Sequence, residues 1–219
     1  MGPCGNPRWR AMLKNLPCVM AHGAWLANHI GSHRCFQAAI KNPGKTQAAV
    51  LSRLLRRNAN SVYGKKYDFT RLRSIQDYQS AVPIASYDDL KPFIERIVDG
   101  ETGVLTAEPV LMLEKTSGPS SAAKYIPYTA SLRREFQRAI GAWMYDLYSK
   151  VPSLMAGHSY WCISPLGQRG ETTRGGLKVG FESDTEYFGG MEQFLLRRLL
   201  AVPDTVARVS DLNAGIYVT

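Results

Sequence analysis

Between Glu108 and Tyr128 the apolar residues stop recurring at helical spacing and fall into short continuous runs, and this change constrains the fold more than any other feature. Upstream, Thr46 to Arg57 is amphipathic, with Val50, Leu51, Leu54 and Leu55 on one predicted face and Arg53, Arg56 and Arg57 opposite. Leu90, Phe93, Ile94, Ile97 and Val98 repeat behind a capping box in Ser86-Tyr87-Asp88-Asp89, and Gly100 ends the run. Pro92 moves the expected helix start toward Lys91. Then Pro109 to Leu113 is an apolar run of strand length, and Thr116 to Ala123 is almost all Ser, Thr, Gly, Ala and Pro. Tyr125-Ile126-Pro127-Tyr128 reads as a second strand whose proline places it on a sheet edge or near its own end. Two such strands predict a hairpin with an unusually long connection.

The rest of the chain is read around that hairpin. A helical stretch is expected over Trp9 to Ala39 with a break near Gly31, followed by a turn at Asn42-Pro43-Gly44. Ser131 is expected to cap a long helix reaching about Lys150, with Leu132, Phe136, Ala139, Trp143 and Leu147 buried. His158 to Ser164 reads as a strand, Pro165 to Gly176 as a charged loop, and Phe188 to Val202 as a closing helix. Helices first, then strands alternating with helices, predict an α/β or α+β arrangement. Asp211 to Thr219 carries no stop signal, so the sheet is expected to be incomplete.

Composition excludes disorder as the default: 45% of residues are apolar and 21% charged. Charge is unevenly spread. Residues 1–74 hold thirteen Lys and Arg against one acid, Asp68, while the remainder holds fourteen basic and seventeen acidic residues. That asymmetry fits solvated helix faces, or a surface for nucleic acid or an anionic membrane. The absence of interleaved aromatics or a known binding module favours the first, and no nucleic-acid or membrane partner is expected. Cys4, Cys18, Cys35 and Cys162 lack CxxC spacing, and the apolar stretch from Cys18 to Ile30 is too short for a span. A reduced, cytoplasmic setting is expected.

The chemical candidate is the loop from Thr116 to Lys124. Small residues let the backbone approach a phosphate with N–H groups free to donate. The hydroxyls of Thr116, Ser117, Ser120 and Ser121 add donors, and Lys124 adds positive charge. The same composition also suits a plain surface loop, and composition alone leaves both readings open. Three other patterns carry less. Gly44-Lys45-Thr46 ends like a Walker A loop, but Ala39 stands where the first glycine belongs. Gly157-His158-Ser159-Tyr160-Trp161 begins like a nucleophile elbow, but Trp161 replaces the second glycine. His22, His29, His33 and Cys35 could in principle hold zinc, but they are read as packed or surface side chains, and no metal ligand is assigned.

Thr116-Ser117-Gly118-x-Ser120-x-x-x-Lys124 resembles the phosphate loop of the adenylate-forming superfamily. The flanks narrow the resemblance to the auxin-responsive-promoter (Gretchen Hagen three) family of acyl-acid amido synthetases. They include Leu54-Leu55-Arg56-Arg57-Asn58-Ala59, Tyr87-Asp88-Asp89-Leu90, Gly103-Val104-Leu105-Thr106-Ala107-Glu108-Pro109 and Lys124-Tyr125-Ile126-Pro127-Tyr128-Thr129. The resemblance implies an α/β fold: the N-terminal part of the large domain of an adenylate-forming enzyme, with helices first and then a mixed sheet with covering helices. Residues 37–219 would form that incomplete domain, and residues 1–36 a poorly defined helical extension. It implies ATP and Mg2+ as cofactors, with a small-molecule carboxylic acid and an amino acid as partners.

Carried over by position, Thr116, Ser117, Gly118, Ser120, Ser121 and Lys124 are the candidate ATP-binding residues, and no catalytic residue is assigned. Two positions depart from the motif: Pro119 stands where a hydroxyl is usual, and Ser121 where glycine is common. The later motifs for adenine, ribose and magnesium are expected beyond Thr219, so the 219 residues are expected to be inactive alone. The alternative is a non-catalytic protein that binds nucleic acid or anionic partners through its basic N-terminal third.

Overall fold

A computed structural model describes residues 15–116, 124–160, 171–181, 188 and 190–202. The order is helices first, then a small mixed sheet with helices between and after its strands. The described residues fall into two compact units. One comprises Ala38–Arg133 with Leu166–Phe181. The other draws on Met1–Gln37, Arg134–Pro165 and Glu182–Thr219.

In the first unit, α2 (Pro43–Asn58) starts where Asn42 accepts the Lys45 N–H and Pro43 occupies the first turn. Of its predicted apolar face only Leu51 and Leu55 pack, whereas Val50 and Leu54 are exposed. Leu55 joins Phe69 and Val82, surrounded by Tyr63, Tyr67, Leu72 and Tyr78. The short α3 (Val62–Lys66) has its first N–H groups bonded to the Gly103 and Val104 carbonyls.

Capping boxes open α4 (Ile75–Ala81) at Ser74 and Asp77, and α5 (Tyr87–Val98) at Ser86 and Asp89. Contrary to the expectation built on Pro92, α5 starts at Tyr87 and contains the proline. The box satisfies the first-turn donors, which outweighs the single N–H that Pro92 lacks. At its other end, Gly100 takes φ +94°, donating to the Ile97 carbonyl while Glu101 donates to that of Arg96. This is a Schellman stop, and it needs the left-handed conformation glycine tolerates.

The predicted hairpin is present. Strands β1 (Val110–Lys115) and β2 (Tyr125–Thr129) pair antiparallel from Lys115↔Tyr125 to Val110↔Thr129, with an irregularity between Val110 and Met112. β3 (Lys178–Val179) adds in parallel on the far side of β1, giving the order β2-β1-β3. Among the described strands β2 thus lies at the edge, one of the two places expected for a strand containing Pro127. Leu113, fully buried, joins Ile97 and Val104 in a second core with Val62, Phe93, Val110 and Tyr125 around it. Burial of such a leucine contributes about 2 kcal/mol.

The second unit is built on α1 (Leu16–Ala39) and the part of α6 (Ala130–Lys150) beyond Arg133. It also holds a 3-10 turn at Pro152–Ala156 and α7 (Gly190–Leu199). The expected break at Gly31 does not occur: α1 runs through it, since an interior glycine costs only about 1 kcal/mol. The cap of α6 is Thr129, whose hydroxyl accepts the Leu132 N–H, and not Ser131. Ser131 instead gives both its N–H and its hydroxyl to Glu108.

The buried face of α6 also differs from expectation. Gly141, Ala142, Met144 and Tyr148 face inward, whereas Leu132 and Trp143 are exposed. The His29 ring occupies the space a side chain at Gly141 would need. Of the predicted strand at His158, Ser159 makes a parallel bridge to Leu200, and residues 161–164 lie outside the described residues. No helix among the described residues is long and apolar enough to cross a membrane.

Candidate functional site

The hairpin fixes where the candidate loop begins and ends. Thr116 follows β1, Lys124 precedes β2, and the Thr116 N–H donates to the Lys124 carbonyl at 3.0 Å. The structure therefore brings these two predicted residues together. Ser117, Gly118, Ser120 and Ser121 lie outside the described residues. Because its N–H is spent on the strand ladder, Thr116 can offer a ligand only its hydroxyl.

Two lysines flank the loop, and they are not equivalent. Lys115, partly buried, has its ammonium on both carboxylate oxygens of Glu171 at 2.7 and 2.6 Å. Its charge is compensated inside the protein. Lys124 is exposed, and among the described residues no carboxylate pairs with it. Its ammonium lies 5.3 Å from the centre of the Tyr87 ring, within the range of a cation–π contact. The Tyr87 hydroxyl accepts the Tyr125 N–H at 2.9 Å.

Tyr87 and Glu171 escaped sequence reasoning. They lie 38 and 56 residues from their partners, and nothing in local patterning points across that distance. The one signal available was the capping box beside Tyr87, which marks where a helix begins and not what its first side chain touches. Further along β2, burial and then the Glu114 carboxylate push the Tyr128 phenol up to about 12, so it stays neutral. Its ring packs edge-on to Phe181 at 5.1 Å.

The three weaker patterns resolve into structure. Gly44-Lys45-Thr46 forms the first turn of α2, where the Thr46 hydroxyl donates to the Ala39 and Asn42 carbonyls. Among the described residues no group of three or more His, Cys, Asp or Glu could hold a metal. His22 and His29 are buried in the second unit, each with Nδ1 on the carbonyl four residues before it. For His22 that carbonyl belongs to Cys18 at 2.9 Å, with Met155 O also at 3.1 Å. Carbonyls only accept, so Nδ1 carries the proton. Nε2 is then left to accept from the Tyr148 hydroxyl at 3.2 Å, which in turn contacts Ser159 Oγ at 3.1 Å. Ser159 therefore belongs to a packed polar chain, while His158 Nε2 lies 3.7 Å from Cys18 Sγ.

A model of the GH3 family N-terminal domain matches residues 32–219. The chain belongs to the GH3 family. Indole-3-acetic acid-amido synthetase GH3.2 of Arabidopsis thaliana is 30% identical over 141 residues, 63% of this chain and 25% of that protein. Jasmonoyl--L-amino acid synthetase JAR4 of Nicotiana attenuata is 22% identical over 187 residues, 83% of this chain and 32% of that protein. The solved GH3.15 acyl acid amido synthetase superposes with TM-score 0.62 at 23% identity, over 83% of this chain and 31% of that chain. A second structure, AtGH3.15 acyl acid amido synthetase in complex with 2,4-DB, gives TM-score 0.54 at 27% identity, over 61% and 23%. This chain thus spans about a quarter to a third of the length of the GH3 proteins it matches.

Proposed function

We propose that this chain is the N-terminal portion of an ATP-dependent acyl-acid amido synthetase, with residues 116–124 as the wall that holds the β- and γ-phosphates. Residues 37–219 would belong to the large acyl-adenylating domain, with residues 1–36 as a helical extension. Family membership supports the reaction class. The observation that carries the site is the charge pattern at the mouth of the hairpin: Lys115 is neutralised by Glu171, and Lys124 is exposed with no carboxylate partner among the described residues. An uncompensated ammonium at the end of a loop rich in hydroxyls and small residues suits a polyanion.

In the reaction, an oxygen of a small-molecule carboxylate attacks the α-phosphorus of ATP, and the bond to pyrophosphate breaks. The amine of an amino acid then attacks the acyl carbon, and AMP departs. Lys124 would offset the charge that accumulates on pyrophosphate as it leaves. The Thr116 hydroxyl would donate to a phosphate oxygen, as would the hydroxyls of Ser117, Ser120 and Ser121. Magnesium would add charge neutralisation when bound with the nucleotide. The described residues offer it no cluster of ligands.

The test is binding of ATP and of inorganic tripolyphosphate by titration calorimetry to the chain and to K124A. A charge-assisted contact predicts a loss of at least about tenfold in affinity for K124A, with no change in the melting temperature of the unliganded protein. Equal affinity of the two proteins, or no binding by the wild type, would remove Lys124 from the site.

A further inference from the structure

We infer that Tyr87 is a positioning residue for the phosphate site, holding the loop's last peptide unit and the ammonium of Lys124 together. The inference rests on the reading of residues 116–124 as a phosphate loop. The peptide unit between Lys124 and Tyr125 is gripped from both sides. Its carbonyl accepts the Thr116 N–H at 3.0 Å, and its N–H donates to the Tyr87 hydroxyl at 2.9 Å. A peptide unit is planar, so fixing its two ends fixes the bond from which Lys124 departs.

The same tyrosine then supports the side chain, its ring lying 5.3 Å from the ammonium. One residue thus sets both the backbone origin and the head of a long flexible lysine. Left to itself, such a side chain loses most of its rotamer freedom on being ordered by a ligand. Pre-ordering it moves part of that loss from the binding step to folding.

Tyr87 is itself well placed to do this. It is the first residue of α5 and half-buried, and its neighbours Ser86 and Asp89 lock the helix start through the reciprocal bonds of the capping box. The grip therefore comes from a fixed helix terminus and not from a loop. The bond is to the outward-facing N–H of β2, which no other strand among the described residues satisfies.

The experiment is a double-mutant cycle on tripolyphosphate affinity with wild type, Y87F, Y87L, K124A and Y87L/K124A, each checked for melting temperature. Y87F removes the hydroxyl and keeps the ring. It is expected to weaken binding about fivefold, the equivalent of one neutral hydrogen bond. Y87L removes both contacts and is expected to weaken it about tenfold or more.

In the K124A background the Y87L effect should shrink to less than about twofold, because the group Tyr87 positions is gone. A full Y87L effect in that background would show a general structural role and overturn the inference, leaving the phosphate loop intact. No tripolyphosphate binding by the wild type would overturn both readings. Amide exchange of Tyr125 supplies a readout free of ligand. It should accelerate in Y87F and not in K124A, and equal exchange in wild type and Y87F would overturn the grip itself.

Discussion

His22 shows how a single buried side chain carries a pH dependence. Its burial disfavours the cation and lowers its pKa, an effect that outweighs the opposing bonds to the Cys18 and Met155 carbonyls; the charge of His158 acts in the same sense as burial. With Nδ1 donating to carbonyls and Nε2 accepting from Tyr148, the network is complete only for the neutral ring. The sign follows from linkage. A histidine whose folded pKa is depressed contributes its stability fully above the unfolded value near 6.5, and loses it as pH falls from there toward the folded pKa. The melting temperature is therefore expected to fall as pH drops below about 6.5. H22Q, which cannot titrate, should flatten that part of the profile while melting lower at neutral pH. An H22Q profile parallel to that of the wild type would assign the dependence to other groups.

Residues of this kind were the least legible in the sequence. His22 and His29 were read as packed or surface side chains, and both proved to be buried with hydrogen bonds. Their partners Tyr148 and Gly141 lie more than a hundred residues away, which no local pattern records. The buried face of α6 was misread for the same reason. Trp143 is its most apolar surface group by size, but a ring from another helix selects the glycine side.

Elements were more legible, because their signals are local. The hairpin was readable from the change of period and from Pro127. The Schellman stop of α5 followed from Gly100, but its start at Tyr87 was misplaced toward Lys91 because Pro92 was weighed above the capping box. S86A tests that weighing. It removes the hydroxyl that accepts the Asp89 N–H and donates to the Asp89 carboxylate at 2.7 Å, and is expected to cost about 1 kcal/mol by urea unfolding.

An acid effect accompanies it. The bonds from the Ser86 hydroxyl and then its N–H hold the Asp89 carboxyl below its ordinary value. For a depressed carboxylate, stability is present above the unfolded pKa and is lost as pH falls through the folded one. The destabilisation by S86A should therefore be smaller below about pH 3 than at neutral pH. A cost independent of pH would mean that the carboxylate does not take part in the cap.

At the scale of the whole molecule, the order of helices and strands predicted the architecture, and residues 32–219 match the GH3 N-terminal domain. The loop flanked by Thr116 and Lys124 was legible as a composition, but its charge logic was not, because Glu171 neutralises Lys115 from 56 residues away. The GH3 proteins it matches are three to four times as long as the stretch they share with it, so the present 219 residues are expected to give no acid-dependent ATP–pyrophosphate exchange. An exchange assay with a panel of aromatic and jasmonate-like acids checks this. Acid-dependent turnover would show that the adenylation chemistry is complete within them.

The grip on β2 also has a consequence for how the molecule meets copies of itself. An edge strand ordinarily exposes a row of N–H donors that can template another chain. Along the outer side of β2 the donors would come from every second residue. At Tyr125 the N–H is already taken by a side chain of the same molecule, and at Pro127 there is none. Among the described strands, the sheet therefore presents a border on which an added strand finds no continuous register. The tyrosine that orients Lys124 thus also closes, together with Pro127, two successive donor positions along this border.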